Sequence, residues 1–405
     1  MILPGHPEKH LSYCTNIHPG EDWRTVFSQL KSHLPNLKQR LSPDKPFGIG
    51  LRLSARAAEE LLKDDHIKEF KNWLDDEALY VFTMNGFPYG SFHGEKVKDD
   101  VYKPDWSTKE RVEYSSNLIE ILANLLPDEA EGSISTSPIS YKYWGQSAEK
   151  FTKIKNIGSI HLAQLAWQMA EVFDENGKEI HIDIEPEPDC LIENSEELIR
   201  FYNHYLLPKG SEFLMNEHQI TAKRAEEILR RHIGVCYDTC HFALEYENPA
   251  EAIQSFVDEG IRIGKTQISA ALKVKLDDER ASRPDIADHL QQFDEPTYLH
   301  QVIVKTKGGG LVQFRDLPEA LPSIENQHAD EWRIHFHVPV FLKKYEELYS
   351  TQDEMMESLQ IILDGDHCKH FEIETYTWDV LPDELKTNVA DSIERELRWI
   401  LDAIQ

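Results

Sequence analysis

The stretch IDIEPEPDC (182–190) decides how this chain is read. With the preceding His181, four hydrophilic residues, His181, Asp183, Glu185 and Glu187, alternate with apolar or proline positions. That is the period of a β-strand, in which every second side chain points the same way. A parallel strand buried on both faces is normally a near-continuous aliphatic run. Two glutamates at the carboxyl end of such a strand call for a cation or a reacting substrate to offset their burial.

Four more segments bring ligand-type groups to strand ends. GVCYDTCHF (234–242) sets Asp238 and His241 three residues apart, and GKTQISAAL (264–272) puts Lys265 and Gln267 in one pleat phase. IHFHVPVF (334–341) carries His335 and His337 on one face, and FEIETYTW (371–378) does the same with Glu372 and Glu374. A series of Glu, Asp, His and Glu is an oxygen-and-nitrogen donor set suited to Mg²⁺, Mn²⁺ or Zn²⁺. No single spacing here is a metal signature; the recurrence of ligands in chain order is what carries the reading.

Working outward, strand-like runs alternate with amphipathic helical ones. LSYCTNIH (11–18) is followed by a helix near 22–41, FGIGLRLS (47–54) by a helix over 54–74 with Ser54 as N-cap, and ALYVFTMNGFPYG (78–90) by a helix near 107–126. GSISTSPIS (132–140), EIHIDIEPE (179–187), IGVCYD (233–238) and IRIGKTQIS (261–269) continue the pattern. Seven βα units precede residue 270, and FEIETYTW with a closing helix at 383–404 supplies the eighth. Eight such units predict one α/β domain over 1–405, a (β/α)₈ TIM barrel with function at the carboxyl ends of its strands. Between strands 7 and 8 lies an insertion, 273–370. It contains a hairpin, HQVIVKT and GLVQF around Gly308–Gly310, and the HFHVPVF segment as an extra strand at the barrel mouth. The charged stretch 273–297, with two prolines, reads as a linker. A doubly wound nucleotide-binding sheet is disfavoured, because a single glycine follows the first strand where a phosphate loop needs several.

The chain has 405 residues, enough to bury a full core, and 72 acidic against 43 basic side chains give a formal charge of −29. That charge repels nucleic acid. The amino terminus lacks a basic flank with an apolar core, and no 18-residue apolar run occurs, so the expectation is a cytoplasmic protein that is not membrane-embedded. Five cysteines without a CxxC pair argue against a disulfide framework and read as buried free thiols.

The motifs now quoted resemble the xylose-isomerase-like TIM barrels, the divalent-metal sugar isomerases and epimerases with their endonuclease relatives. The resemblance implies a metal held by Glu185, Asp238 and Glu374, with His241 three residues after the aspartate and Gln267 at the end of the seventh strand. Gln267 departs from the imidazole usual there, so His337 from the insertion is the other candidate for that place. Over nearly its whole length the chain also resembles the EboE-type metabolite traffic proteins, through LSYCTNIHPGEDW, NGFPYGSFHG, VYKPDW, GSISTSP, EPEPDCLIEN, CYDTCHFALEYE, KTQISAAL, HFHVPVF and ETYTWDVLP. This second resemblance implies the making or moving of a small metabolite together with membrane-enzyme partners of the same pathway.

Two functions are compatible with these residues. One is isomerisation or epimerisation of a small polar hydroxy-carbonyl metabolite, with a divalent metal (Mn, Mg or Zn), Glu185 and Glu374 as proton-moving carboxylates and His241 beside them. Glu187, His335, Lys265 and His93 would then contact substrate. The other is a carrier that keeps the pocket and performs no turnover.

Overall fold

The structure, a computed structural model, describes residues 1–90, 98–128, 130–145, 147–276, 283–326, 328–378, 381 and 388–404. Eight parallel strands, β1 (His6–Tyr13), β2 (Phe47–Arg52), β3 (Leu79–Asn85), β4 (Gly132–Thr136), β5 (Ile180–Ile184), β6 (Ile233–Asp238), β7 (Ile263–Ile268) and β8 (His370–Ile373), lie in one sheet. The hydrogen-bonded order runs from β1 to β8 and back through β7, β6, β5, β4 and β3 to β2, with the short antiparallel strand Ile2–Leu3 beside β1. Closure between β1 and β2 rests on a bridge from Cys14 to Gly50. Ser12 reinforces it: its hydroxyl donates to the Gly48 carbonyl at 2.8 Å and accepts from Gly50 N at 3.1 Å. The result is an α/β fold, a (β/α)₈ TIM barrel with an insertion between β7 and β8.

Helices wrap the outside, and their caps follow the sequence. Asp22 accepts from Thr25 N at the start of Trp23–Leu41, and Ser54 accepts from Ala57 N at the start of Ala55–Leu61. The single helix expected over 54–74 is two, Ala55–Leu61 and His66–Asp76, because Asp64 between them adopts a positive φ of 52° that a continuous helix cannot contain.

Outward-facing strand positions are aliphatic and pack under the helices, as Ile180, Ile182 and Ile184 do in β5. The inward positions are polar. His181 and Asp183 on β5, Lys265 on β7 and Glu372 on β8 are all fully buried inside the barrel. Room is made by glycine: a Cβ at Gly50 would fall 1.5 Å from Glu372 Oε1, and one at Gly264 would fall 2.0 Å from Asp183 Oδ1.

The insertion builds an antiparallel six-stranded sheet in the order Leu311–Phe314, Val302–Thr306, Ala329–Val338, Ala270–Lys275, Leu348–Ser350 and Lys344–Tyr345. It begins two residues after β7 ends. The stretch expected as a linker, 273–297, instead contributes to the strand Ala270–Lys275 and carries the helix Arg283–Gln291. In Ala329–Val338 the ladder slips between Ile334, opposite Leu272, and His337, opposite Ala271. Such a bulge re-aims side chains, here His335 and His337.

Candidate functional site: a carboxylate and imidazole cluster at the barrel mouth

The carboxyl ends of β5, β6 and β8 bring Glu185, Asp238 and Glu374 together, each able to offer an oxygen within 4.8 Å of the others. All three are buried. Asp238 caps the helix Thr239–Leu244: its Oδ1 accepts from Cys240 N at 2.8 Å, His241 N at 3.2 Å and the Ser269 hydroxyl at 2.6 Å. Its Oδ2 has no partner, and neither does Oε2 of Glu185. Glu374 is held from three sides, with Asn16 and Asn85 donating to Oε1 at 3.0 and 2.8 Å and Gln267 donating to Oε2 at 2.7 Å.

The insertion strand delivers imidazoles over this floor. His337 donates from Nδ1 to the Glu374 carbonyl at 2.6 Å, which leaves Nε2 as an acceptor, buried and unpartnered. Ligating atoms of Asp238, His241 and His337 form a second close set, and those of Glu187, His241 and His335 a third. A buried divalent cation seated in the first set would satisfy the orphaned Oδ2 of Asp238 and Oε2 of Glu185, while the orphaned Nε2 of His337 belongs to the second set, which shares Asp238 with the first. A buried carboxylate or imidazole left bare costs free energy, and a histidine whose far nitrogen donates to a carbonyl is oriented as metal-binding histidines are. The residues present therefore fit a divalent metal.

Electrostatics agree. Burial, then repulsion from neighbouring carboxylates, pushes Glu185 and Glu374 well above the usual carboxylate range. Asp238 lies below its usual value, because the adjacent His241 and His337 and the hydrogen bonds it accepts outweigh its burial. Burial raises Glu187 to about 8 and lowers His241 to about 4. A cation among these groups would reverse the carboxylate shifts.

Above the floor lies a cavity of about 70 Å³. Glu185, Glu187, His241, His335, His337 and Glu374 reach it from below, and Phe87, Tyr102, Tyr298 and Tyr376 wall it. The Tyr102 hydroxyl donates to Glu187 Oε1 at 2.8 Å, and the Tyr102 ring stacks on Tyr141 at 4.8 Å.

Two residues expected at the site take other roles. Lys265 is fully buried beneath the floor, ion-paired to Glu372 at 2.5 Å, and does not line the cavity. It shares the phase of Gln267 but sits one pleat deeper, where a neighbouring carboxylate claims its charge. Gln267, considered as a metal ligand, gives its amide to Glu374, while its oxygen accepts from the Cys236 thiol at 2.9 Å. It positions Glu374, and His337 presents the free nitrogen in its stead. His93 lies outside the described residues. The sequence reading missed Asn16, Asn85, Tyr102 and Gln301. A polar Asn85 closing the largely apolar run ALYVFTM was the available signal for one of them.

No protein-family model matches the sequence, and no curated protein matches it. Solved structures do. A xylose isomerase-like TIM barrel protein from Mycobacterium smegmatis in complex with magnesium superposes with TM-score 0.52 at 10% identity, covering 98% of this chain and 96% of that one. The IOLI protein with a bound zinc atom gives 0.49 at 12% identity, with 98% of each chain covered. A D-tagatose 3-epimerase-like protein gives 0.48 at 14%, again with 98% of each covered. The first of these carries the likeness, which at 10% identity is one of fold: this chain is built as a xylose-isomerase-like TIM barrel.

Proposed function

We propose that this protein binds a divalent metal through Glu185, Asp238, Glu374 and His337 and isomerises or epimerises a small, polar hydroxy-carbonyl metabolite. The observation that carries this reading is that Asp238, whose Oδ2 is buried and unpartnered, belongs to two close ligand sets below the cavity, one with Glu185 and Glu374 and one with His241 and His337. When bound, such a metal polarises adjacent oxygens of a substrate and acidifies the neighbouring C–H. Glu185, whose Oε2 is unpartnered and which, unlike Asp238, caps no helix, moves the proton. Glu374, first expected to share that work, is held in place by three amide donors and acts as a ligand. His241 donates from Nδ1 to the Pro186 carbonyl at 3.0 Å, which fixes its ring next to Glu185. Glu187 and His335, on the cavity floor, contact substrate oxygens, while Tyr102, Tyr298 and Tyr376 exclude water.

The motifs shared with EboE-type metabolite traffic proteins support placing this chemistry in a pathway with membrane-enzyme partners, the protein itself being cytoplasmic. Among the described residues no helix is long and apolar enough to cross a membrane. A carrier without turnover is the second reading, favoured by the saturation of Glu374. Solvent deuterium incorporation into candidate sugars and cyclitols separates the two. Exchange lost in Glu185→Gln supports isomerisation, and absence of exchange in the native protein with ligand binding intact selects the carrier.

A further inference from the structure

Lys98 lies between β3 and the helix Lys109–Leu125, and among the described residues that line the cavity it is the only lysine or arginine. Its side chain is 17% exposed, where lysines ordinarily keep their charge in water. The backbone holds it there at a cost. Lys98 takes a left-handed φ of 40°, unfavourable for a residue with a Cβ, and its N–H donates to the Thr297 carbonyl at 2.9 Å, beside the wall residue Tyr298. Its Nζ donates to Asp316 Oδ2 at 2.5 Å. Asp316 is itself fixed, because its Oδ1 accepts from His300 N and from Leu317 N, each at 3.1 Å. An ammonium carries three protons, and Asp316 Oδ2 takes one of them. Phe87, Val101 and Leu299, which share the wall with Lys98, have no side-chain acceptor for the others.

We infer that Lys98 recognises an anionic group, a carboxylate or a phosphate, at the end of the substrate away from the carboxylate floor. The floor carries Glu185, Glu187 and Glu374, and the chain as a whole carries −29, so a cation on the wall is where such a group can be held. Hydrogen bonds between ionised partners are the strong ones, and a largely apolar wall strengthens them further. The cavity, about 70 Å³, is small beside the roughly 300–1,000 Å³ of ordinary ligand pockets, so the anionic end and the hydroxy-carbonyl end belong to one compact molecule. The inference rests on the isomerase reading above for the chemistry at the floor and adds the charge of the substrate. The same ion pair could serve only to latch the loop to the insertion, and Asp316 separates the two uses. In a latch Asp316 works with Lys98, whereas toward an anionic substrate it competes for the ammonium.

The test is calorimetric titration of the manganese-loaded full-length chain with three compact probes: neutral dihydroxyacetone, its phosphate ester and hydroxypyruvate. The native chain is expected to bind one or both anions about tenfold more tightly than dihydroxyacetone. Lys98→Met should erase that preference and spare manganese binding, and Lys98→Arg should keep most of it. Asp316→Asn retains an acceptor oxygen for His300 N and Leu317 N but no longer competes for the ammonium, so anion binding should tighten. A preference for one anion over the other supports the inference and identifies the group as phosphate or carboxylate. Equal affinity of the native chain for all three probes, or equal weakening of the anions by Lys98→Met and Asp316→Asn, overturns it and leaves the isomerase reading standing. Manganese binding with no affinity for any of the three probes overturns both.

Discussion

His337 Nδ1 donates to the backbone carbonyl of Glu374 across 2.6 Å, so a residue of the insertion is keyed to the end of the last barrel strand. The contact does two things. It turns Nε2 toward Asp238, and it ties the position of the insertion sheet to that of the carboxylate floor.

His337→Ala should therefore lower affinity for the carboxylate-bound metal at least tenfold while the barrel stays folded. Metal titration with circular dichroism on the same sample checks this. Unchanged affinity would remove His337 from the ligand set and return attention to Gln267.

Asp238→Asn and Glu374→Gln keep size and most hydrogen bonds but delete a charge from the floor. Each should reduce binding of the metal beyond detection at micromolar concentration, because an amide is a poor replacement for a buried carboxylate against a divalent ion. Metal content that survives both substitutions would show that the ion sits elsewhere.

The barrel and the phase of its ligands were legible because both depend on short-range periodicity. Asp238 and His241, His335 and His337, and Glu372 and Glu374 each share a face for reasons that two or three residues of spacing settle. Depth was not legible. Glu372 and Glu374 look equivalent in sequence, yet one is paired with Lys265 below the site and the other forms its floor. That difference arises from register: Glu372 stands opposite Gln267, so the pocket opens only one pleat higher. The amide supports Asn16, Asn85 and Gln301 come from three distant segments that meet only in the folded chain, and the single residue Asp64 broke the helix expected over 54–74.

The metal-free protein should lose stability as pH rises. Glu187 has a folded value of about 8 against an ordinary 4.5, and Glu185 and Glu374 are shifted the same way by burial and mutual repulsion. A carboxyl raised in the folded state binds its proton more tightly there than in the unfolded chain. Its contribution is therefore full below pH 4.5 and is lost as pH climbs through the folded value. For Glu187 the window is pH 4.5–8, but buried His241, lowered to about 4, gains stability between pH 4 and 6.5 and opposes it there, so the fall is read above pH 6.5. Thermal unfolding of the stripped chain should show Tm falling from pH 6.5 to 8, and added zinc or manganese should restore it most at the alkaline end. A Tm that rises from pH 6.5 to 8 without metal would contradict the burial of the carboxyl groups.

Lys265 and Glu372 make a contact in the barrel interior that is costly to disturb. Both are fully buried, 2.5 Å apart, and Lys265 Nζ also points at the Ser135 hydroxyl at 3.3 Å and the Met84 carbonyl at 3.4 Å. Neither Glu372 oxygen has a hydrogen bond beyond that ion pair. Lys265→Met would leave a buried carboxylate with no counter-charge, a loss of about 3–5 kcal/mol. Substituting both members, Lys265→Met with Glu372→Leu, removes the unpaired charge and should recover most of that loss, since well-packed apolar replacements of buried ion pairs are commonly neutral. Urea unfolding of the two single variants and the double one measures the coupling directly. If the double variant is as unstable as the sum of the singles, the pair is not coupled and its burial needs another explanation. A coupled pair would establish Lys265 as the internal counter-ion that lets the barrel carry Glu372 in its interior, one pleat below Glu374 at the mouth.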